Sequence, residues 1–297
     1  MVAFVLLALA TAFVLRPDSP TVKEIGMNRT TTSGDGTTIA YTKVGSGPPL
    51  ILVDGAFCYR ENGPASQLAP LLAEHFTVFA YDRRGRGASS DAPAYAIERE
   101  VEDLQSLVRE AGGSALAVGI SSGGALALQA AARGVNLKGL ALYEPPFIED
   151  DGHPPSFEMQ KTRLNQFVSA GDRAGAVRFF MTDIYGAPKP FVAVMPFVMR
   201  SAWKKNLSVA HTLPYDLTLL EDWSVLRDRS TSVTIPTLVM GGEKSPAPLK
   251  NAVATVAGAL PNARRMYLRG QDHNFSAAAV APVIVGFFST PPQASSN

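Results

Sequence analysis

The stretch Gly119-Ile120-Ser121-Ser122-Gly123 constrains the fold of this 297-residue chain more than any other. It follows the apolar run 115–118, which is typical of a strand, and it opens a run of small residues, 124–134, that predicts a helix. A serine on such a sharp turn needs small neighbours, because a Cβ at Gly119 or Gly123 would crowd the strand and the helix. The helix N-terminus also directs backbone N–H groups towards negative charge at Ser121. The stretch therefore predicts a nucleophilic serine at the end of a strand.

Composition excludes several classes of function. A formal net charge of +1 and a charged content of 18% argue against a nucleic-acid-binding surface. The arginine cluster Arg83, Arg84 and Arg86 is too small to change this, and we expect it to form a solvated turn. A single cysteine, Cys58, excludes an intrachain disulfide. No metal-ligand spacing, phosphate loop or nucleotide fingerprint is present, so we expect no metal and no cofactor.

The N-terminus leaves the location of the protein open. Residues 1–15 are apolar except for Thr11, which is too short a run for a transmembrane helix. The run resembles the apolar part of a signal peptide, with a possible cleavage site at 8–10, but no Lys or Arg precedes it. Cytoplasmic, secreted and membrane-anchored locations all stay open, and membrane contact is expected only if this segment is kept as an anchor. Residues 1–20 are interpreted as this segment and a linker.

The hydrophobic pattern predicts an interrupted α/β domain. Apolar strands alternate with helical stretches through residues 21–146 and again through 233–290, which is typical of a mostly parallel sheet. The first two strands are expected at 22–25 and 38–44. Residues 147–232 are helical throughout and form an insertion, and residues 291–297 form a frayed tail.

A serine hydroxyl needs a base that takes its proton. The chain has four histidines, His75, His153, His211 and His273. His273 lies in the loop between the last expected strand and the last expected helix. The carboxyl ends of parallel strands meet at one edge of the sheet, and Ser121 follows such an end as well. His273 is therefore the predicted base.

Five motifs together resemble the α/β-hydrolase family, in its group of lid-bearing serine esterases, perhydrolases and carbon–carbon hydrolases. They occupy residues 52–56, 81–89, 119–123, 235–242 and 270–273. The resemblance implies an eight-stranded, mostly parallel sheet flanked by helices, with residues 147–232 as a helical lid after the sixth strand. It also implies that the backbone N–H groups of Ala56 and Ser122 form an oxyanion hole. Asp54 stands where the family commonly has histidine.

The third member of a catalytic triad is harder to assign. The family's usual acid falls on Ser245, and a serine cannot stabilise an imidazolium as a carboxylate does. Glu144, at the end of the strand after the elbow helix, is the favoured replacement. Glu243 and Asp272 are alternatives, and a site without any acid also stays open.

These observations predict a serine hydrolase that cleaves a small or medium, mostly apolar carboxylic ester or lactone through an acyl-enzyme. Phe57, Tyr59, Phe180 and Trp203 are expected to line the apolar substrate pocket. Within the enzymes, a carbon–carbon bond hydrolase or a biosynthetic acyl-transfer or cyclising enzyme is the alternative. A non-catalytic small-molecule receptor on the same scaffold is an alternative from another class. The oligomeric state is not predicted.

Overall fold

The computed structural model describes residues 25–92, 94–148 and 157–289, and these contain one eight-stranded sheet. The strand order is β1-β2-β4-β3-β5-β6-β7-β8. β1 pairs antiparallel with β2 and β2 antiparallel with β4, and the other neighbours are parallel. The strands are β1 Met27–Thr32, β2 Thr38–Val44, β3 Pro49–Val53, β4 Thr77–Tyr81, β5 Ala115–Ile120, β6 Leu137–Tyr143, β7 Thr237–Gly242 and β8 Ala263–Leu268. The predicted eight-stranded, mostly parallel α/β fold is confirmed.

Helices cover both faces of the sheet and fill the stretch between β6 and β7. The α-helices are α1 Pro64–Leu72, α2 Ile97–Glu110, α3 Ser122–Ala132, α4 Glu158–Ser169, α5 Arg173–Phe179, α6 Lys189–Val198, α7 Arg200–Val209, α8 Leu213–Glu221, α9 Ser224–Arg227, α10 Ala247–Ala259 and α11 Ala277–Ser289. A π-helical turn, Phe180–Ile184, and two 3-10 turns, Ala210–Thr212 and Ser230–Ser232, complete the helical stretch.

The core consists of two apolar layers, one on each face of the sheet. Alternate residues of β3 show the division, because Ile51 and Val53 belong to one layer and Leu50 and Leu52 to the other. The first layer includes residues of α2, α3 and α10, and the second includes residues of α1 and α11. Burial on both faces explains the nearly continuous apolar sequence of the central parallel strands.

The helical stretch 157–232 has a small apolar core of its own. Leu164, Trp203 and Leu213 belong to it, and Ala56 and Phe57, in the loop after β3, pack against it. The helical stretch therefore contacts the loop after β3, which contains Ala56, one of the two residues expected to form an oxyanion hole. Its place after the sixth strand agrees with the prediction, while its role as a lid and the domain bounds stay predictions.

The first strand differs from the sequence-based expectation. The structure has β1 at Met27–Thr32, whereas the pattern pointed to 22–25, most of which lies outside the described residues. β1 is largely exposed and pairs with β2 through a tight turn in which the Ser33 N–H donates to the Thr37 carbonyl at 2.8 Å. An exposed edge strand has no apolar alternation, so the pattern did not reveal it.

The arginine cluster is buried, and the expectation of a solvated turn is wrong. Arg83, Arg84 and Arg86 are each about 1% exposed. Each is paired with a buried carboxylate, and such pairing offsets much of the desolvation that burial of a charge requires. The pairs are Arg83 with Glu100 and Asp216, Arg84 with Asp103 and Asp35, and Arg86 with Asp216.

The predictions for residues 1–20 and for the tail 291–297 lie outside the described residues. Among the helices of residues 25–92, 94–148 and 157–289, none is long and apolar enough to cross a membrane.

Candidate active site

Ser121 lies on a strained turn between β5 and α3. Its φ of 53° and ψ of −128° place a non-glycine residue in a region that such residues rarely adopt. A Cβ on Gly119 would come within 2.6 Å of the Gly124 Cα, and one on Gly123 within 2.2 Å of the Val53 carbonyl oxygen. The flanking glycines are therefore needed for close packing, and strain of this kind is concentrated at functional sites.

The end of β6 contacts both the serine turn and the loop that carries His273. The Ser121 N–H donates to the Tyr143 carbonyl oxygen at 2.9 Å. The Tyr143 hydroxyl donates to the Asp272 carbonyl oxygen at 2.6 Å. Glu144 follows Tyr143 with a positive φ of 46°, which turns the chain sharply after the strand. One strand end thus positions all three segments of the site.

Glu144 and His273 form a close pair, in which Glu144 is buried and the His273 side chain is 18% exposed. The Glu144 Oε2 lies 2.8 Å from the His273 Nδ1, and the Glu144 Oε1 accepts the Gly242 N–H at 2.7 Å. Burial alone would raise the pKa of Glu144, but hydrogen bonding by His273 and Gly242 outweighs burial and lowers it. An ionised Glu144 makes Nδ1 the protonated nitrogen of His273, which leaves Nε2 free to accept a proton.

The other two candidate carboxylates are directed elsewhere. The side chain of Glu243 is exposed, and its backbone N–H donates to the Leu268 carbonyl oxygen. Asp272 Oδ1 accepts the Asn274 N–H at 2.8 Å within its own loop. Ser245, at the family's usual acid position, is 3% exposed and lies beside Glu144. Glu144, which directly follows β6, therefore supplies the carboxylate that Ser245, in the loop after β7, cannot supply.

Two other histidines, His75 and His211, lie apart from this pair. His75 is exposed and packs against Phe76, with ring centroids 6.4 Å apart. His211 Nε2 lies 3.7 Å from the Asp91 Oδ2, and burial lowers the pKa of its imidazole. His153 lies outside the described residues.

The loop after β3 runs directly against the serine. A Cβ on Gly55 would lie 3.0 Å from the Ser121 Cβ. Ala56 follows in this loop, and Ser122 is the first residue of α3, where the backbone N–H has no partner within the helix. The two residues implied as oxyanion donors thus lie on the two segments next to Ser121.

Asp54 fixes the start of this loop. Its carboxyl oxygens accept the Ala65 N–H at 3.2 and 3.3 Å, which ties the loop to the N-terminus of α1. Burial raises the pKa of Asp54 to about 7, and the hydrogen bond from Ala65 and the nearby Arg86 and Arg83 only partly oppose this rise.

The expected pocket residues divide into two groups. Phe57 and Phe180 meet edge to face with ring centroids 5.3 Å apart, and Trp203 belongs to the same apolar cluster as Phe180. Tyr185, from the helical stretch, lies 6.0 Å from the His273 ring. Tyr59 instead lines a separate cavity of about 300 Å³ together with Glu61, Gly85, Gly87, Ala88 and Ser208.

Two residues near the site were not singled out from the sequence. Tyr143 could have been found from its position, because it ends the strand after the elbow helix and directly precedes Glu144. Asp216, buried in α8, accepts a hydrogen bond from the Ser122 hydroxyl at 2.7 Å and pairs with Arg83 and Arg86. No local sequence signal marks Asp216.

The described part of the chain holds no cluster of three or more His, Cys, Asp or Glu side chains that could bind a metal ion.

Comparisons with known proteins agree with this architecture. The sequence profile of the Alpha/beta hydrolase family matches residues 45–283. The structure of an alpha/beta hydrolase from Sphaerobacter thermophilus is 45% identical, with a TM-score of 0.81 over 88% of this chain and 100% of that one.

More distant relatives share the fold. An esterase from Exiguobacterium antarcticum is 22% identical, with a TM-score of 0.68 over 89% of this chain and 100% of that chain. A non-heme haloperoxidase from Rhodococcus erythropolis is 24% identical over 82% of this chain and 91% of its own length. The profile match, the near relative and the eight-stranded sheet agree, and this chain belongs to the alpha/beta hydrolase family.

Proposed function

We propose that the protein is a serine hydrolase that cleaves a small or medium, mostly apolar carboxylic ester or lactone through an acyl-enzyme. The observation that carries the proposal is the contact of 2.8 Å between Glu144 and His273. Glu144 directly follows Tyr143, whose carbonyl oxygen accepts the N–H of Ser121 on its strained turn. We infer that this oriented base serves Ser121, because a base that is held by a carboxylate and acts on a serine is the arrangement that activates a hydroxyl nucleophile.

Each residue has a separate role in the proposed reaction. The Ser121 Oγ attacks the carbonyl carbon while the His273 Nε2 takes its proton. Glu144 holds the Nδ1–H and stabilises the imidazolium that forms. His273 then returns the proton to the leaving alkoxide, which leaves an ester between Ser121 and the acyl group. A water molecule, deprotonated by His273, attacks this ester and frees the carboxylic acid and Ser121.

The negative oxygen of each tetrahedral intermediate needs donors that are already in place. In the proposal the backbone N–H groups of Ala56 and Ser122 supply them. The position of Gly55 against Ser121 and the place of Ser122 at the start of α3 support this assignment. The loss of one such donor costs about 10²- to 10³-fold in turnover in a well-studied protease.

The preference for an apolar acyl group rests on the helical stretch. Phe57, Phe180 and Trp203 share an apolar cluster that borders Ala56, and Tyr185 lies beside His273. We infer that the helical stretch acts as a lid over the serine and that these rings contact the substrate. Tyr59, which faces another cavity, is left out of this group.

The relatives support ester chemistry. One distant neighbour is an esterase, and a lactone is a cyclic ester whose carbonyl is attacked in the same way. The receptor alternative was motivated by the serine at position 245. The contact of Glu144 with His273 supplies a carboxylate by another route and favours an enzyme.

A fluorophosphonate probe tests the proposal. We expect prompt labelling of the folded protein, no labelling of Ser121→Ala, and unchanged labelling of Ser169→Ala, which removes an exposed hydroxyl on α4. Hydrolysis of a series of p-nitrophenyl esters of graded acyl length then reports the size of the acyl group. Absence of both labelling and ester hydrolysis in the folded protein would refute the proposed function.

A further inference from the structure

Asp216 joins the helical stretch to the serine turn. It lies in α8 and is 1% exposed. Its Oδ1 accepts hydrogen bonds from the Ser122 hydroxyl and from the Arg83 Nη1, both at 2.7 Å, and its Oδ2 accepts one from the Arg86 Nη2 at 2.7 Å. Burial alone would raise the pKa of Asp216, but Arg86, Arg83 and the Ser122 hydroxyl outweigh burial and lower it. Both carboxylate oxygens of Asp216 therefore accept hydrogen bonds from buried partners.

Arg86 connects Asp216 with the loop after β3. Its Nη1 donates to the Gly55 carbonyl oxygen at 2.6 Å. That carbonyl belongs to the same peptide unit as the Ala56 N–H. In a trans peptide the C=O and the N–H point in opposite directions, so a guanidinium that holds the oxygen fixes the direction of the N–H. Its charge also polarises the peptide towards a stronger N–H donor.

We propose that Asp216, with Arg86, is a positioning residue for the oxyanion hole. Asp216 holds the side chain of Ser122 directly and holds the Gly55–Ala56 peptide through Arg86. The inference rests on the proposed function, because it explains how two donors from distant parts of the sequence keep one geometry. The helical stretch thereby contributes to the chemical step through α8, apart from any contact with substrate.

A matched control exists in the same arginine cluster. Asp103 is 0% exposed and binds Arg84 through both oxygens, at 2.7 and 2.8 Å. The other contacts of Arg84 are with Asp35 and with the Arg99 carbonyl oxygen. The Asp103→Asn substitution therefore disturbs a comparable buried ion pair away from the serine turn and from the loop after β3.

The kinetic test compares Asp216→Asn with Asp103→Asn on p-nitrophenyl butyrate. Oxyanion donors act mainly in the transition state, so we expect Asp216→Asn to lower kcat about 10²-fold with KM within about twofold. Asp103→Asn is expected to leave kcat within about threefold, and the melting temperature of each variant shows how far the fold itself is disturbed. Equal losses of kcat in both variants would overturn the proposal, because they would reflect stability alone.

A milder variant guards against a failure of Asp216→Asn to fold. Ser122→Ala keeps the backbone N–H and both arginine pairs, and removes only the hydroxyl that binds Asp216. We expect kcat to fall about 5- to 10-fold and the melting temperature to fall by several degrees, since one hydrogen bond to a charged group is lost while the protein stays folded. An unchanged kcat would contradict the role of the Ser122 contact.

Hydrogen exchange separates this inference from the proposed function, because it needs no activity. Peptides that cover residues 54–58 are expected to exchange faster in Asp216→Asn than in Asp103→Asn, each compared with the unchanged protein. Equal exchange would refute the positioning role even in an active enzyme. If the protein is inactive but exchange is faster only in Asp216→Asn, the proposed function is refuted while the positioning role of Asp216 stands.

Discussion

Replacement of Glu144 by glutamine tests the least usual part of the proposed site. The two carboxylate oxygens have different partners, since Oε1 accepts the Gly242 N–H at 2.7 Å and Oε2 faces the His273 Nδ1 at 2.8 Å. The Gly242 N–H needs an acceptor, so the amide oxygen of a glutamine takes the Oε1 position. The amide NH₂ group then faces Nδ1.

This orientation favours the imidazole tautomer of His273 that cannot act as a base towards Ser121. An NH₂ group opposite Nδ1 makes Nδ1 the acceptor, which places the imidazole proton on Nε2. Nε2 can then no longer take the proton of Ser121. The equivalent change in a serine protease lowers turnover about 10⁴-fold. We expect E144Q to lower kcat by about 10³- to 10⁴-fold, which corresponds to about 4–5.5 kcal/mol of transition-state stabilisation.

The assay is the steady-state hydrolysis of a p-nitrophenyl ester by E144Q and by E243Q. Glu243 is an exposed carboxylate in the loop that usually carries the acid, so E243Q serves as the matched control and should keep kcat within about twofold. Circular dichroism and the melting temperature show that both variants are folded. A large loss in E243Q together with a small loss in E144Q would refute the assignment of the acid.

Three further predictions test neighbouring features. We expect S245D in the E144Q background to recover turnover about 10-fold, because it restores the family's acid position, and no recovery would show that this loop cannot serve His273. G123A places a Cβ 2.2 Å from a backbone oxygen of β3 and should abolish folded, active protein, whereas G258A, in a helix and with nothing within 4 Å, should keep or slightly raise the melting temperature. Because the pKa of Asp54 is raised to about 7 in the folded state, its carboxyl destabilises the fold increasingly from about pH 4 to pH 7. In urea unfolding D54N should therefore gain on the order of 3–4 kcal/mol over the unchanged protein across that range, and parallel pH profiles would contradict this.

Much of the fold and the core of the candidate site followed from the sequence. The turn at Ser121 was predictable because its flanking glycines and its place between strand and helix are local features. The position of His273 near the end of β6 follows from the rule that the carboxyl ends of parallel strands meet at one edge. The choice of Glu144 over Glu243 and Asp272 needed the structure, since side-chain direction at the end of a strand depends on the backbone of Glu144 at positive φ.

The buried arginines show what local pattern cannot reveal. The sequence 82–87 reads as a charged turn, and charge alone favours exposure. Arg83 and Arg86 are buried against Asp216, which lies 133 and 130 residues further along the chain. Such a contact depends on the packing of α8 against the core, which hydrophobic periodicity does not specify. The exposed first strand was missed for a related reason, since its pairing with β2 leaves no apolar signature.

Because Asp216 lies in α8, the helical stretch cannot be removed or exchanged freely when the protein is engineered. A shortened chain in which β6 is joined directly to β7 would remove α8 and leave the guanidinium groups of Arg83 and Arg86 without Asp216. Loss of one partner of a buried ion pair costs about 3–5 kcal/mol, which is a large part of the stability of most domains. The stretch 157–232 is thus no detachable module. A chimera that borrows this stretch from a relative must bring an acidic side chain to the position of Asp216.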